Sequence, residues 1–122
     1  MVSTSRTESI ERTERPWGWY ETISQAPGNL IKRIHVYAGK QLSLQKHLYR
    51  AEHWVVTSGS AHITLDDKSF VLNPGECCDI GVLQVHRLSN PSAQPVEIVE
   101  LQFGTDLRED GIVRLQDDFG RT

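Results

Sequence analysis

Gln45, His47, Glu52 and His86 are side chains of the types that bind divalent metal ions. Gln45 and His47 stand two apart in Gln45-Lys46-His47-Leu48-Tyr49-Arg50-Ala51-Glu52, so on an extended strand they project to one side. Glu52 follows after a turn-length gap, and His86 comes later, with Asn90 just beyond it. Two imidazoles, a carboxylate and an amide oxygen make a mixed N/O donor set. Such a set suits zinc, manganese, iron, cobalt or nickel and does not choose among them. An ion held this way keeps open positions and acts as a Lewis acid on oxygens of a bound molecule. Cys77 and Cys78 do not join this set. Adjacent cysteines on an extended chain point to opposite faces, so they read as two free thiols with neither a disulfide nor Cys-x-x-Cys spacing.

The elements that must position these donors read as short strands between turn signals. Extended segments are expected at 19–23, 30–37, 42–49, 53–57, 61–65, 69–72, 76–82, 85–89 and 96–103. The turns between them carry Pro27-Gly28-Asn29, Ser58-Gly59-Ser60, Asp66-Asp67, Asn73-Pro74-Gly75 and Asn90-Pro91-Ser92. In 42–49 the alternation puts Leu42 and Leu44 on one face and Ser43, Gln45 and His47 on the other, with Tyr49 sharing the second face. No segment shows a long helical period, and a single helical turn is expected around 114–119. This spacing of strands predicts an all-β barrel or sandwich, and a small barrel of this kind has room for one ligand inside.

The chain has 122 residues, enough for one domain with a modest core. Residues 1–14 are polar and read as a flexible lead, with a single domain over 15–122. The net charge of −3 gives no basic surface for nucleic acid or an anionic membrane. No apolar run is long enough to cross a bilayer, and the start lacks the apolar stretch of a secretory signal, so a cytoplasmic location is expected. His35, His53 and His62 are expected in structural or pocket-lining roles. Trp17, Trp19 and Trp54 are expected in the core or at a contact between subunits.

Gly39-x5-Gln45-x-His47-x4-Glu52-x6-Gly59 resembles the first motif of the cupin superfamily, with Gln at its first ligand position. Gly75 followed by His86-x3-Asn90 resembles the second motif. Within that superfamily the chain is similar to the type II phosphomannose isomerase domain, which also forms the C-terminal part of bifunctional mannose-1-phosphate guanylyltransferases. The likeness runs from Arg15 to Arg121. It is carried by Arg15-Pro16-Trp17-Gly18, Ile31-Lys32-Arg33-Ile34, Leu42-Ser43-Leu44-Gln45, Arg50-Ala51-Glu52-His53-Trp54, His86-Arg87-Leu88 and Asn90-Pro91. The tail adds Glu109-Asp110, Ile112-Val113-Arg114 and Asp118-Phe119-Gly120-Arg121.

The resemblance implies a cupin (double-stranded β-helix, or jelly-roll) barrel. Its Gln45, His47, Glu52 and His86 would bind a divalent metal for interconversion of mannose 6-phosphate and fructose 6-phosphate. That reaction needs polarised oxygens at C1 and C2, a group that moves a proton between those carbons, and cations for the phosphate. Lys32 and Arg33 alternate along a strand, so one of the two is expected to face the sugar phosphate. Tyr49 is expected on the pocket wall, with Arg50 and Arg114 as further cations, and Arg87 should point away from His86. No residue is assigned as the base. The chain departs from the family's pattern at Leu48-Tyr49, where histidines are usual, and at Gly81 to Val85. These changes motivate a second reading, a non-catalytic cupin that binds metal or sugar as a sensor or accessory module. The family's habit of pairing and an open barrel edge lead to an expected homodimer. No nucleotidyltransferase domain is read before this barrel, so a bifunctional enzyme is not expected for this chain, and cooperation with a separate transferase stays open.

Overall fold

Val36, Ile34 and Lys32 share one face of a strand, as do Val96, Ile98, Glu100 and Gln102 on another, and this shared parity organises the molecule. The computed structural model describes residues 11–108 and 111–118. They form eleven strands: β1 (Arg12–Arg15), β2 (Gly18–Ala26), β3 (Asn29–Val36), β4 (Leu44–His47), β5 (Arg50–Ser58), β6 (Ala61–Leu65), β7 (Lys68–Leu72), β8 (Cys77–Ile80), β9 (His86–Ser89), β10 (Val96–Gly104) and β11 (Ile112–Gln116). A six-stranded sheet runs β1-β2-β3-β10-β5-β8 and a five-stranded sheet runs β11-β4-β9-β6-β7. Every pairing between these strands is antiparallel, and the two sheets face each other as an all-β jelly-roll barrel.

The interior is apolar at one end and polar at the other. Ile98 lies beside Ile34 on β3 and Val56 on β5. These side chains pack with Val36, Val96, Ile63, Leu88 and Ile80 into the core. One inward step along β10, Glu100 lies beside Lys32 and Trp54; one step further, Gln102 lies beside Leu30 and Glu52. Lys32, Arg50, Glu52, His86, Glu100 and Gln102 are all buried. Burying so many polar groups is costly unless they satisfy one another or a ligand, so this end of the barrel is where a site belongs.

Two glycines allow close backbone approach. At Gly18 a Cβ would come 1.8 Å from the His35 carbonyl oxygen on the neighbouring strand. Gly59 turns β5 into β6 at φ +78°, and a Cβ there would lie 2.5 Å from the Pro95 carbonyl oxygen.

Three expectations are corrected. Residues 12–14 are not part of a flexible lead: with Arg15 they form β1, paired with β2 from Arg12↔Glu21 to Arg15↔Gly18, with the Arg12 guanidinium 3.7 Å from the Trp19 ring centre. Residues 1–10 lie outside the described residues. The expected helical turn at 114–119 is instead the end of β11, held by pairing with β4, with Phe119 outside the described residues. The single strand over 42–49 is shorter. β4 begins at Leu44, and Leu42 packs against the core while Ser43 is fully buried, so alternation fails at its start. It fails again at its end, because the chain leaves β4 after His47 and turns through Leu48 and Tyr49 into the other sheet. The tail motif residues 109–110 and 119–121 also lie outside the described residues.

Candidate metal centre

His47 ends β4, Glu52 lies near the start of β5, and His86 begins β9. β4 and β9 are neighbours in the five-stranded sheet, with Gln45 opposite His86, while β5 belongs to the facing sheet. Closing the barrel therefore brings together donors from both walls. One ligand atom from each of His47, Glu52 and His86 lies within 4.8 Å of the others, and all three residues are buried. Atoms bound to one ion at about 2.1 Å stand no more than about 4.2 Å apart, so the cluster needs only a small closure to hold one.

The protonation states suit the purpose. Burial alone would raise the Glu52 carboxyl, but hydrogen bonds from His47 and Glu100 and the charge of Arg50 hold it well below the usual carboxylate range. Glu52 Oε2 accepts from Arg50 Nε at 2.8 Å and lies 3.0 Å from His47 Nε2, and Oε1 accepts from Trp54 Nε1 at 2.8 Å. His86 is pushed down by burial, which favours the neutral ring a metal requires. Its Nδ1 faces the Gln84 carbonyl oxygen at 2.9 Å, a contact that fixes the ring's orientation and leaves Nε2 as the nitrogen available to an ion. His47 Nδ1 is buried with no hydrogen-bond partner among the described residues. An ionised carboxylate, a neutral imidazole and an orphaned ring nitrogen in one buried cluster fit a divalent cation.

Gln45 stands on the wall of the same cavity, its Nε2 donating to Ser43 Oγ at 3.1 Å. That bond takes the nitrogen end and leaves the oxygen as the end available to an ion. Asn90 serves the scaffold: its Nδ2 donates to the Val36, Tyr37 and Gln94 carbonyl oxygens, and its Oδ1 accepts from Ser92.

The cavity over the triad has a volume of about 90 Å³, room for several waters or a small polar molecule. Lys32 faces into it, 4.3 Å from the Tyr20 ring centre. Arg33, the alternative, points outward and pairs with Glu21 at 3.3 Å, because strand parity sends it to the opposite face. Tyr49 is also corrected. It is 49% exposed in the turn between β4 and β5 and does not line the cavity, since parity with Gln45 and His47 ends where β4 ends. Arg50 and Arg114 do line it, and so does Arg15. Arg87 turns away as expected, donating to the Leu42 carbonyl oxygen at 2.9 Å. His35 and His53 pair on the outer face with Glu97 at 2.7 Å and Asp79 at 2.6 Å, and His62 is exposed. Trp17, Trp19 and Trp54 are all buried.

The sequence reading missed Glu100 and Gln102. Burial, the charge of Glu52 and a hydrogen bond with Glu52 hold the Glu100 carboxyl well above its usual range, with Lys32 opposing. The signal for both was parity: Val96, Ile98, Glu100 and Gln102 alternate on one face.

The sequence profile of the mannose-6-phosphate isomerase C-terminal family matches residues 3–117. The alginate biosynthesis protein AlgA of Pseudomonas aeruginosa is 46% identical over 118 residues, covering 97% of this chain and 24% of that protein. The mannose-1-phosphate guanylyltransferase of Salmonella muenchen is 43% identical over 122 residues, covering 98% of this chain and 26% of that protein. The chain thus spans about a quarter of the length of these curated relatives. Among solved structures, the cupin domain of Schizosaccharomyces pombe Cnp3 superposes with a TM-score of 0.72 at 9% identity, over 79% of this chain and 69% of that one. At that identity the likeness speaks to the cupin fold alone.

Proposed function

The chain belongs to the mannose-6-phosphate isomerase C-terminal family, and from that premise we propose that it interconverts mannose 6-phosphate and fructose 6-phosphate at the polar end of its barrel. One observation carries this reading. The buried His47–Glu52–His86 cluster opens on a cavity lined by Lys32, Arg50, Arg15 and Arg114, with a second buried carboxyl, Glu100, beside it.

A divalent ion held by His47, Glu52 and His86, with Gln45 beside them, would supply Lewis acidity to the sugar oxygens at C1 and C2. The remaining work falls to the chain's own residues. Arg15 and Arg114 are the less buried cations of the lining and would take the phosphate, leaving the reacting carbons toward the triad. Arg50 donates to Glu52 and adds its charge to the hydrogen bonds from His47 and Glu100 that keep it ionised. Among the described lining residues Glu100 is the carboxyl outside the triad, which supports it as the group that would accept the proton from C2 of the aldose and return it to C1 of the enediol. Burial is the main cause that holds Glu100 protonated; a cation held at Glu52 would offset the second, the charge of Glu52, and Lys32 already favours the ionised form. Trp17, Trp54 and Leu88 wall the cavity and limit water around the enediol.

The second reading, a non-catalytic cupin, drew on Leu48-Tyr49 and Gly81 to Val85. Both stretches lie outside the cavity lining, although the Gln84 carbonyl oxygen still meets His86 Nδ1, so what separates the two readings is turnover itself. A coupled assay for fructose 6-phosphate formed from mannose 6-phosphate, run with a panel of divalent metals, tests the proposal. Turnover abolished by EDTA and restored by one metal is the expected result. Folded, metal-loaded protein with no turnover under any metal would overturn it in favour of the binding module.

A further inference from the structure

Gln102 is a polar residue where the fold asks for an apolar one. It continues the inward row of Val96 and Ile98 and is 1% exposed. Its Nε2 donates to Glu100 Oε1 at 3.3 Å, while Oε1 is buried with no hydrogen-bond partner among the described residues. Exchanging the amide's oxygen and nitrogen moves the vacancy to the nitrogen without removing it, because Glu100 can serve only one end. Leaving a buried amide half-satisfied is costly, whereas Leu or Met in its place would not be. The side chain lines the cavity and its cross-strand neighbour is Glu52 of the triad.

We infer that Gln102 is a specificity-determining residue whose spare amide end receives one hydroxyl of the sugar when the neighbouring sugar oxygens face the triad. The argument rests on the isomerase reading above. A hydroxyl suits the position because it both donates and accepts, and so satisfies either orientation of the amide. A metal ion would take only the oxygen. A site built to bond a hydroxyl discriminates strongly against a substrate lacking it, since the amide is then buried unpaired again.

The test compares wild type with Gln102→Met, which is close in size and apolar. Metal content should be unchanged and the thermal midpoint equal or higher, while kcat/KM for mannose 6-phosphate falls ten- to a hundredfold. A purely structural residue would show the reverse, a lowered midpoint with kcat/KM intact. Wild type is also assayed with mannose 6-phosphate analogues each lacking one hydroxyl. One analogue should lose at least tenfold in binding to wild type and almost nothing further in Gln102→Met. Equal kcat/KM in the two proteins, metal lost or folding lost in Gln102→Met, or wild-type binding indifferent to every hydroxyl would each overturn the inference while leaving the isomerase standing. Wild type that neither binds nor converts mannose 6-phosphate would overturn both.

Discussion

At the scale of the residue, the metal triad makes sharp demands on single side chains. His47→Ala removes one of the three proposed ligands, so the rise in thermal midpoint expected of wild type with a divalent ion should vanish, since binding to the native state alone is what generates it. A metal-dependent shift as large in the variant as in wild type would exclude His47 from the site. Glu100 makes a separate prediction. In metal-free protein its folded-state pKa lies above its unfolded value, so the native state keeps a proton that the unfolded chain releases above about pH 4. Stability therefore falls as pH rises through that window, and Glu100→Gln escapes the loss. The midpoint gained by Glu100→Gln in EDTA should be small near pH 4 and larger at pH 7; a gain independent of pH would show that the carboxyl is not held protonated. With metal restored, the same variant should bind the ion and lose turnover. His47, Glu52 and His86 were legible because their types and spacing are those of ligands. Glu100 was not, because a lone Glu in a β-rich run reads as a solvated position until its parity with Val96 and Ile98 is weighed.

At the scale of the element, turns and edges decide where chemistry stops. Gly59 combines a φ of +78° with a Cβ position 2.5 Å from the Pro95 carbonyl oxygen. Gly59→Ala should cost more than the ~1 kcal/mol typical of a backbone mismatch, read as a lower denaturation midpoint at unchanged slope. On β8, strand alternation separates the two cysteines: Cys77 is exposed, while burial pushes the half-buried Cys78 thiol up to about 11. In folded protein at pH 8.5 an alkylating reagent should modify Cys77 well before Cys78, as mass spectrometry of timed samples would show. Equal rates would mean that β8 is not held against β5. Strand positions were largely legible from alternation and turn residues; Ala61–Leu65 was expected with the bounds it has. The errors fell at strand ends. Tyr49 was placed by parity carried past the end of β4, and β1 looked like a lead because its polar Arg12–Arg15 has no apolar face of its own and is held by pairing with β2.

At the scale of the whole molecule, the barrel divides its labour along its axis. One end is an apolar plug that holds the sheets together; the other keeps buried charge in place. Ile98 is fully buried between Ile34 and Val56, so Ile98→Ala should cost about 2–5 kcal/mol through lost burial and a residual cavity. The triad lies toward the other end of the barrel, so the variant should retain its metal response at temperatures where it stays folded, as scanning calorimetry with and without the ion would measure. Loss of that response in folded protein would show that the two ends are not independent. No helix among the described residues is long and apolar enough to cross a membrane.

The sequence by itself determined the all-β class, the approximate strands, the three donors of the candidate metal cluster and the family, because residue types, period-two alternation and motif spacing are local properties that survive without coordinates. It also determined that one of Lys32 and Arg33 faces inward. Tertiary structure decided the rest. It chose Lys32 over Arg33, removed Tyr49, added Arg15, Glu100 and Gln102, and placed the altered stretches Leu48-Tyr49 and Gly81 to Val85 outside the cavity. The physical reason is that parity names a face but not what that face meets. Whether an inward position lies against Ile98 or against Glu52 depends on which strands are neighbours and in what register, and that is settled only when the two sheets close.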